Sequence, residues 1–175
     1  MVLAGSGGKK RIARLRKLYT TGIVDDLTNS LSLYERLADD WRRSHTVWFT
    51  TLNELTDSRH TYTNNRDWIV LFDNEETRRR LAGYYRKSAG HLLQLQNAQS
   101  RVYAIQNSFN SLVQNLQLRR PEFTLDQARQ AAVPLMPAES AELANLLDKT
   151  IPELVNGLEA LRADAREVHA LITRK

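Results

Sequence analysis

The sequence contains no cysteine, no Asn-x-Ser/Thr sequon and no long apolar run. Without cysteine the chain has no disulfide bonds and no thiolate chemistry, as is usual in a reducing compartment. The longest apolar run, Trp68–Phe72, is far too short to span a membrane. Residues Met1–Ala4 are too few for a signal-peptide core. These absences predict an intracellular, cytoplasmic protein without a cleaved leader or a membrane span, and a nuclear location is also open.

Motifs for catalysis and for cofactor binding are missing as well. The spacing of Asp57 and His60 matches half of a di-iron carboxylate–histidine pattern, but no second pair accompanies it. The adjacent carboxylates Asp25 and Asp26 would point about 100° apart on a helix, so they would not converge on a substrate. No glycine-rich phosphate loop follows a strand. We therefore expect a protein that is not an enzyme and has no catalytic, cofactor-binding or metal site.

Neither proline nor glycine interrupts the stretch Val24–Tyr62. Apolar residues recur there in alternating steps of three and four, which keeps one face of a helix toward a partner helix. Two polar residues, His45 and Arg59, interrupt the series. As one continuous helix the stretch would be about 58 Å long, which exceeds the dimensions of a compact globule of this size. The pattern therefore predicts a rod.

Two further heptad seams follow, from Leu81 to Leu116 and from Leu147 to Ile172. Asn64-Asn65 indicates a turn, which would make the first two helices antiparallel neighbours. All four prolines lie beyond residue 120, and they bracket a connector in which Thr124–Ala132 can form a short helix capped by Thr124. Pro152 suits a first helical turn, so the last long helix is expected to start at Ile151.

The predicted fold class is all-α, an elongated antiparallel three-helix coiled-coil bundle with a short connector helix. The expected organisation has a flexible leader and then a single elongated helical domain. The leader covers residues 1–8 and the domain 9–175, with helix one at about 9–59, helix two at about 67–118, the connector at 119–137 and helix three at about 138–174, broken near residue 150.

Positive charge is concentrated near the N-terminus. The net charge is +5, and six basic residues without an acid lie before Tyr19, which leaves the remainder of the chain near −1. This segment could bind nucleic acid, acidic polymer tails, an import receptor or a membrane surface, or it could be a solvated helix start. The predicted polyanion-binding residues are Lys9, Lys10, Arg11, Arg14, Arg16 and Lys17.

Eight of the thirteen aromatic residues lie near the expected tip of the helical hairpin. Helix three would span about 37 Å and helix two about 63 Å, so helix three should stop before the tip. The tip would then expose aromatic anchors to another chain, the alternative being a packed aromatic core. The predicted partner-binding residues are Trp41, Trp48, Trp68, Tyr84 and Tyr85.

These patterns favour a non-enzymatic coiled-coil subunit or adaptor of a larger assembly, with a cytoskeletal or spindle-associated role as one setting. Its expected partners are other helical subunits, in a homo- or hetero-oligomer, and an acidic polymer at the basic segment. The alternative function is a helical nucleic-acid-binding or coat-like structural protein that uses the same basic segment.

Overall fold

The computed structural model describes residues 6–174. These residues form an all-α helical bundle without a strand, which confirms the predicted fold class. The helices are α1 (Ser6–Ser44), α2 (Phe49–Asp57), α3 (His60–Asn64), a 3-10 helix (Arg66–Leu71), α4 (Glu75–Arg119), α5 (Leu125–Ala132), a second 3-10 helix (Val133–Leu135), α6 (Pro137–Asn145), a π-helical turn (Leu146–Thr150) and α7 (Ile151–Thr173).

The chain divides into two compact units. Unit 1 contains the residues up to Leu92 and those from Val155 onward, and unit 2 contains Leu93–Leu154. The helices α4 and α7 contribute residues to both. The predicted leader falls partly outside the described residues; within them, Ser6, Gly7 and Gly8 already belong to α1.

The first helix ends at Ser44 and does not continue to residue 59 as predicted. His45 takes a left-handed backbone conformation, with a φ of 49°, and its N–H donates to the carbonyl of Trp41 at 2.8 Å. This geometry is a common helix stop, and the β-branched Thr46 and Val47 that follow are weak helix formers. Val47 is fully buried, so tertiary packing favours a turn at this point over a continuous helix.

The segment Phe49–Leu71 runs back along α1 in the opposite direction. Two contacts show the antiparallel direction. Ser30 is hydrogen-bonded to Ser58, and Tyr19, nearer the start of α1, packs against Trp68, nearer the end of the segment. This return segment is an antiparallel neighbour of α1, and α4 is not, because Asp73 pairs with Arg16 while Tyr84, further along α4, contacts Tyr34. The predicted hairpin of the first two long helices is therefore replaced by a chain that turns back twice before α4 begins at Glu75.

Within unit 1, α7 packs against α4 in an antiparallel arrangement. Lys87 pairs with Asp164 at 2.6 Å, and Arg80, one heptad earlier, approaches Glu167 at 3.5 Å. The core of unit 1 combines aliphatic and tyrosine side chains. Its largest fully buried members are Tyr19, Ile23, Leu27, Tyr34, Leu37, Leu52, Leu55, Leu81, Tyr85 and Leu158.

Unit 2 has its own smaller core. Val113 on α4 and Ala128 and Ala132 on α5 are buried together, with Phe109 and Phe123 packed against them. As predicted, Thr124 caps α5, and a reciprocal capping box with Gln127 satisfies two backbone N–H groups. The short side chains of the two alanines let α5 lie close to α4.

A π-helical turn, Leu146–Thr150, precedes α7 and coincides with the predicted break near residue 150. The physical cause is Pro152, which has no N–H to donate to the carbonyl four residues earlier. Widening the preceding turn lets the chain remain helical across the proline. The helix α7 then begins at Ile151, with Pro152 in its first turn.

Candidate functional site

The first turns of α1 carry an exposed basic surface, which we define as Lys9, Lys10, Arg11, Arg14 and Lys17. All five side chains are exposed, and none forms an ion pair with a carboxylate among residues 6–174. The first acidic residue of the chain is Asp25. The surface therefore keeps its full positive charge toward solvent.

The helical geometry places the centre of this surface opposite the buried side of α1. Lys10, Arg14 and Lys17 follow a spacing of i, i+4 and i+7, so they share one face and span about 10 Å along the axis. Tyr19 is only 2% exposed and lies about half a turn away from Lys10 around the helix. Leu18 lies beside the basic face and is itself 65% exposed.

Arg16, the sixth predicted polyanion-binding residue, differs from the other five because it has a carboxylate partner. Its guanidinium donates two hydrogen bonds to the Asp73 carboxylate, both at 2.6 Å. Asp73 lies just before α4, so the pair joins the start of α1 to the start of α4. A bidentate pair of this kind fixes orientation as well as charge. The charge of Arg16 is therefore neutralised locally, unlike that of the other five cations.

Below the basic surface, α1 contributes a buried carboxylate. Asp26 is 1% exposed, and it accepts hydrogen bonds from the Thr61 N–H and hydroxyl at 3.0 Å and from the Tyr62 N–H at 3.3 Å. Burial raises the pKa of Asp26 above its ordinary value, although these hydrogen bonds and the nearby His60 act in the opposite direction. The carboxylate satisfies the first N–H groups of α3 and thereby holds the return segment against α1.

The core of unit 1 also contains a buried arginine. Arg59 is 9% exposed, donates to the Tyr85 carbonyl at 2.9 Å and stands 5.7 Å from the centre of the Tyr85 ring. The Tyr85 ring stacks on Tyr62 at 4.1 Å. Burial raises the pKa of the Tyr85 phenol, so this group stays neutral. These contacts pack Arg59, Tyr62 and Tyr85 together in the core of unit 1.

The predicted partner-binding aromatics lie mostly in the interior of unit 1. Trp41, Tyr84 and Tyr85 are buried, and Trp68 is half-buried against Tyr19. Only Trp48 is exposed, at 48%. The expectation that all five are exposed is therefore wrong.

The return segment accounts for this difference, because it covers the aromatic side chains. In addition, α7 extends as far as Arg80, near the start of α4, so it does not stop short of them. Partner binding through Trp48 stays a prediction.

No protein-family model, curated protein or solved structure matches this chain. Within residues 6–174, no three histidine or carboxylate side chains lie together as potential metal ligands. No helix in the same range combines the length and the apolar character that crossing a membrane requires.

Sequence reasoning missed the buried polar residues that organise unit 1. Asp26 and Asp25 are identical in type and adjacent, yet only Asp26 is buried. Arg59 offered a signal, because it interrupts an apolar heptad seam. A charge at such a position indicates a specific buried partner more often than a solvated face.

Proposed function

We propose that this chain is a non-enzymatic helical subunit of a larger protein assembly, and that its basic surface binds an acidic segment of a partner. One observation carries the proposal: five exposed cations lie on the first turns of α1 without a neighbouring carboxylate. Such a concentration of one sign of charge attracts polyanions over distances of about 10 Å at ordinary salt.

Comparison with several basic residues elsewhere in the chain supports this proposal. Arg42, Arg79 and Lys87 each have a carboxylate partner, as does Arg101 in unit 2. Their charges are locally neutralised. The five cations of the basic surface are not neutralised in this way, whereas Arg16 on the same helix pairs with Asp73.

An acidic protein segment fits this surface better than single-stranded nucleic acid. Binding of unpaired bases generally uses exposed aromatic rings interleaved with basic residues. The aromatic residue nearest to the basic surface, Tyr19, is buried. A cytoskeletal or spindle setting, whether cytoplasmic or nuclear, would provide partners with acidic tails. Duplex DNA or RNA, which a basic helix can contact through phosphates alone, remains the competing ligand.

Charge reversal on the basic surface tests the proposal. The test protein carries Lys10→Glu, Arg11→Glu, Arg14→Glu and Lys17→Glu. A matched control carries Arg66→Glu, Arg86→Glu, Arg166→Glu and Arg174→Glu. These four cations also belong to unit 1, are exposed and form no ion pair among residues 6–174, so the control has the same net charge as the test protein. The probes are a fluorescent poly-glutamate peptide and a fluorescent DNA duplex, followed by anisotropy at about 50 and about 200 mM salt.

We expect the wild type to bind poly-glutamate and the test protein to bind it at least about tenfold more weakly, a difference that shrinks at high salt. The control should retain most of the affinity. Equal losses in the two variants would show that net charge, and not this surface, determines binding. If the protein binds only DNA, with a steep salt dependence, the ligand of the basic surface is nucleic acid and not an acidic protein segment.

A further inference from the structure

Unit 2 contains a groove that none of its described elements fills. It has a volume of about 660 Å³ and lies between α4 on one side and the stretch from Met136 through the π-helical turn on the other. The groove belongs to unit 2 alone. It does not involve the basic surface of α1, so an inference about it is independent of the function proposed above.

The wall formed by Met136, α6 and the π-helical turn presents side chains to the groove at a helical spacing. Met136, Ser140, Leu143 and Leu147 line the groove at spacings of i, i+4, i+7 and i+11. At about 1.5 Å per residue, this face extends over about 17 Å, or three helical turns. A face with this period packs against another helix. The side of α6 that lines the groove therefore has the pattern of a helix interface.

The facing wall on α4 is partly apolar, because the amides Gln106 and Asn110 line it together with Ile105 and Phe109. Ile105 and Phe109 line it one turn apart, and Ile105 is buried while Phe109 is half-buried. Phe109 also packs on the small core of unit 2, which fixes its ring. Val133 adds a side chain that is 53% exposed at one rim. Two helical walls with mixed apolar and polar side chains therefore flank an open groove, into which a third helix can pack.

An exposed ion pair links the two walls in the absence of a partner. The Arg101 side chain of α4 donates two hydrogen bonds to the Glu142 carboxylate of α6, both at 2.6 Å. This pair ties the two helices together outside the groove. A preformed groove loses little conformational entropy when it is occupied, which favours binding.

The charge of the lining specifies the occupant. Two acidic residues, Glu139 and Asp148, line the groove, and no basic residue does. They lie nine residues apart on the same wall, which corresponds to about 13 Å. A bound helix with a lysine or arginine near each end would place its cations beside these carboxylates. Its apolar side chains would meanwhile face Phe109, Leu143 and Leu147.

We propose that this groove binds an amphipathic helix of another protein. The helix is about three turns long, with apolar residues at i, i+4, i+7 and i+11 and a basic residue near each end. Apolar contact supplies affinity, and the two carboxylates select the charge of the partner. The chain would thereby contribute two helices to a three-helix contact with another subunit.

The test uses the full chain and three synthetic helical peptides. The first carries leucines at i, i+4, i+7 and i+11 and a lysine at each end; the second has glutamates at the ends; the third has the leucines moved off one face. The groove variant is Ala144→Arg, and its control is Ala141→Arg. Both alanines are exposed on α6, but only Ala144 lines the groove. Circular dichroism verifies that both variants fold.

We expect the lysine peptide to bind the wild type and the Ala141→Arg protein equally, and the Ala144→Arg protein at least about tenfold more weakly. The glutamate peptide should prefer a protein with Glu139→Lys and Asp148→Lys. Failure of the lysine peptide to bind the wild type, or equal binding to both alanine variants, would overturn the proposal. Concentration-dependent dimerisation that Ala144→Arg abolishes would also overturn it, because the occupant would then be a second copy of this chain.

Discussion

Gly22 of α1 and Thr61 of α3 lie so close together that a Cβ atom on residue 22 would stand 2.7 Å from the Thr61 Cγ2. Thr61 is not free to move, because its N–H and its hydroxyl both donate to the buried Asp26 carboxylate. Glycine inside a helix ordinarily costs about 1 kcal/mol relative to alanine. The close approach of the return segment to α1 explains why glycine occupies this position.

Gly22→Ala should therefore destabilise the protein, although alanine is the better helix former. We expect the steric cost to exceed the propensity gain and to lower the free energy of unfolding by about 1 kcal/mol or more. Gly90→Ala is the matched control, since a Cβ there meets nothing within 4 Å. The control should raise stability by up to about 1 kcal/mol. Urea unfolding of both proteins measures the effect, and two equally stabilised variants would contradict it.

The buried Asp26 makes a second prediction, which concerns pH. Because its pKa is raised in the folded protein, the folded state binds more protons than the unfolded state between the ordinary aspartate pKa and the raised one. The contribution of Asp26 to the free energy of unfolding must therefore fall as the pH rises through this window.

Asp26→Asn removes this titration while keeping the shape of the side chain. The asparagine oxygen can accept from the Thr61 and Tyr62 N–H groups, and its amide can donate to the Thr61 hydroxyl. The stability of the wild type minus that of the variant should decrease from about pH 4 toward pH 7 in urea unfolding. The other carboxylates are present in both proteins, so their contribution to the pH dependence cancels in this difference. A difference that is constant with pH would show that Asp26 keeps an ordinary pKa.

The tryptophans supply a third prediction, since their environments differ. Trp41 is buried in unit 1, whereas Trp48 follows the turn at the end of α1 and is 48% exposed. Trp41→Ala should cost about 3 kcal/mol or more, but Trp48→Ser only about 0.5 kcal/mol. Acrylamide quenching should be lost mainly when Trp48 is replaced by Phe. Strong shielding of Trp48 in the isolated chain would instead indicate that another chain covers it.

The seams of α4 and α7 could be predicted from sequence because helical periodicity and packing agree there. Leu81, Leu92 and Leu95 on α4, and Leu158 and Leu161 on α7, occupy predicted seam positions and are buried. Residues such as these face a neighbour at every turn. The pattern alone is then sufficient to identify the buried face.

The end of α1 could not be predicted in the same way. Leu52 and Leu55 continue the apolar period of α1, and both are buried, but they belong to a separate helix that turns back. Periodicity does not distinguish a continuous helix from two helices joined by a short turn. Two features end α1: His45 has a left-handed backbone conformation, and the Val47 side chain is buried. Both depend on tertiary structure.

The basic surface likewise could be predicted as a charge cluster, but not the ion pair that Arg16 forms. Arg16 and Asp73 are 57 residues apart, and nothing local indicates that they meet. The pair also leads to a functional prediction. Asp73→Asn should release the Arg16 guanidinium and add a sixth free cation beside Lys9 and Lys17.

We therefore expect Asp73→Asn to bind poly-glutamate more tightly than the wild type, most clearly at low salt. The loss of stability should be small, about 0–1 kcal/mol, because exposed ion pairs contribute little. Asp67→Asn is the control, since Asp67 is exposed, forms no ion pair among residues 6–174 and gives the same change in net charge. Equal affinities of the two variants in fluorescence anisotropy would mean that only net charge matters. A stronger effect of Asp73→Asn would indicate that the acidic ligand lies along the first turns of α1, within reach of Arg16.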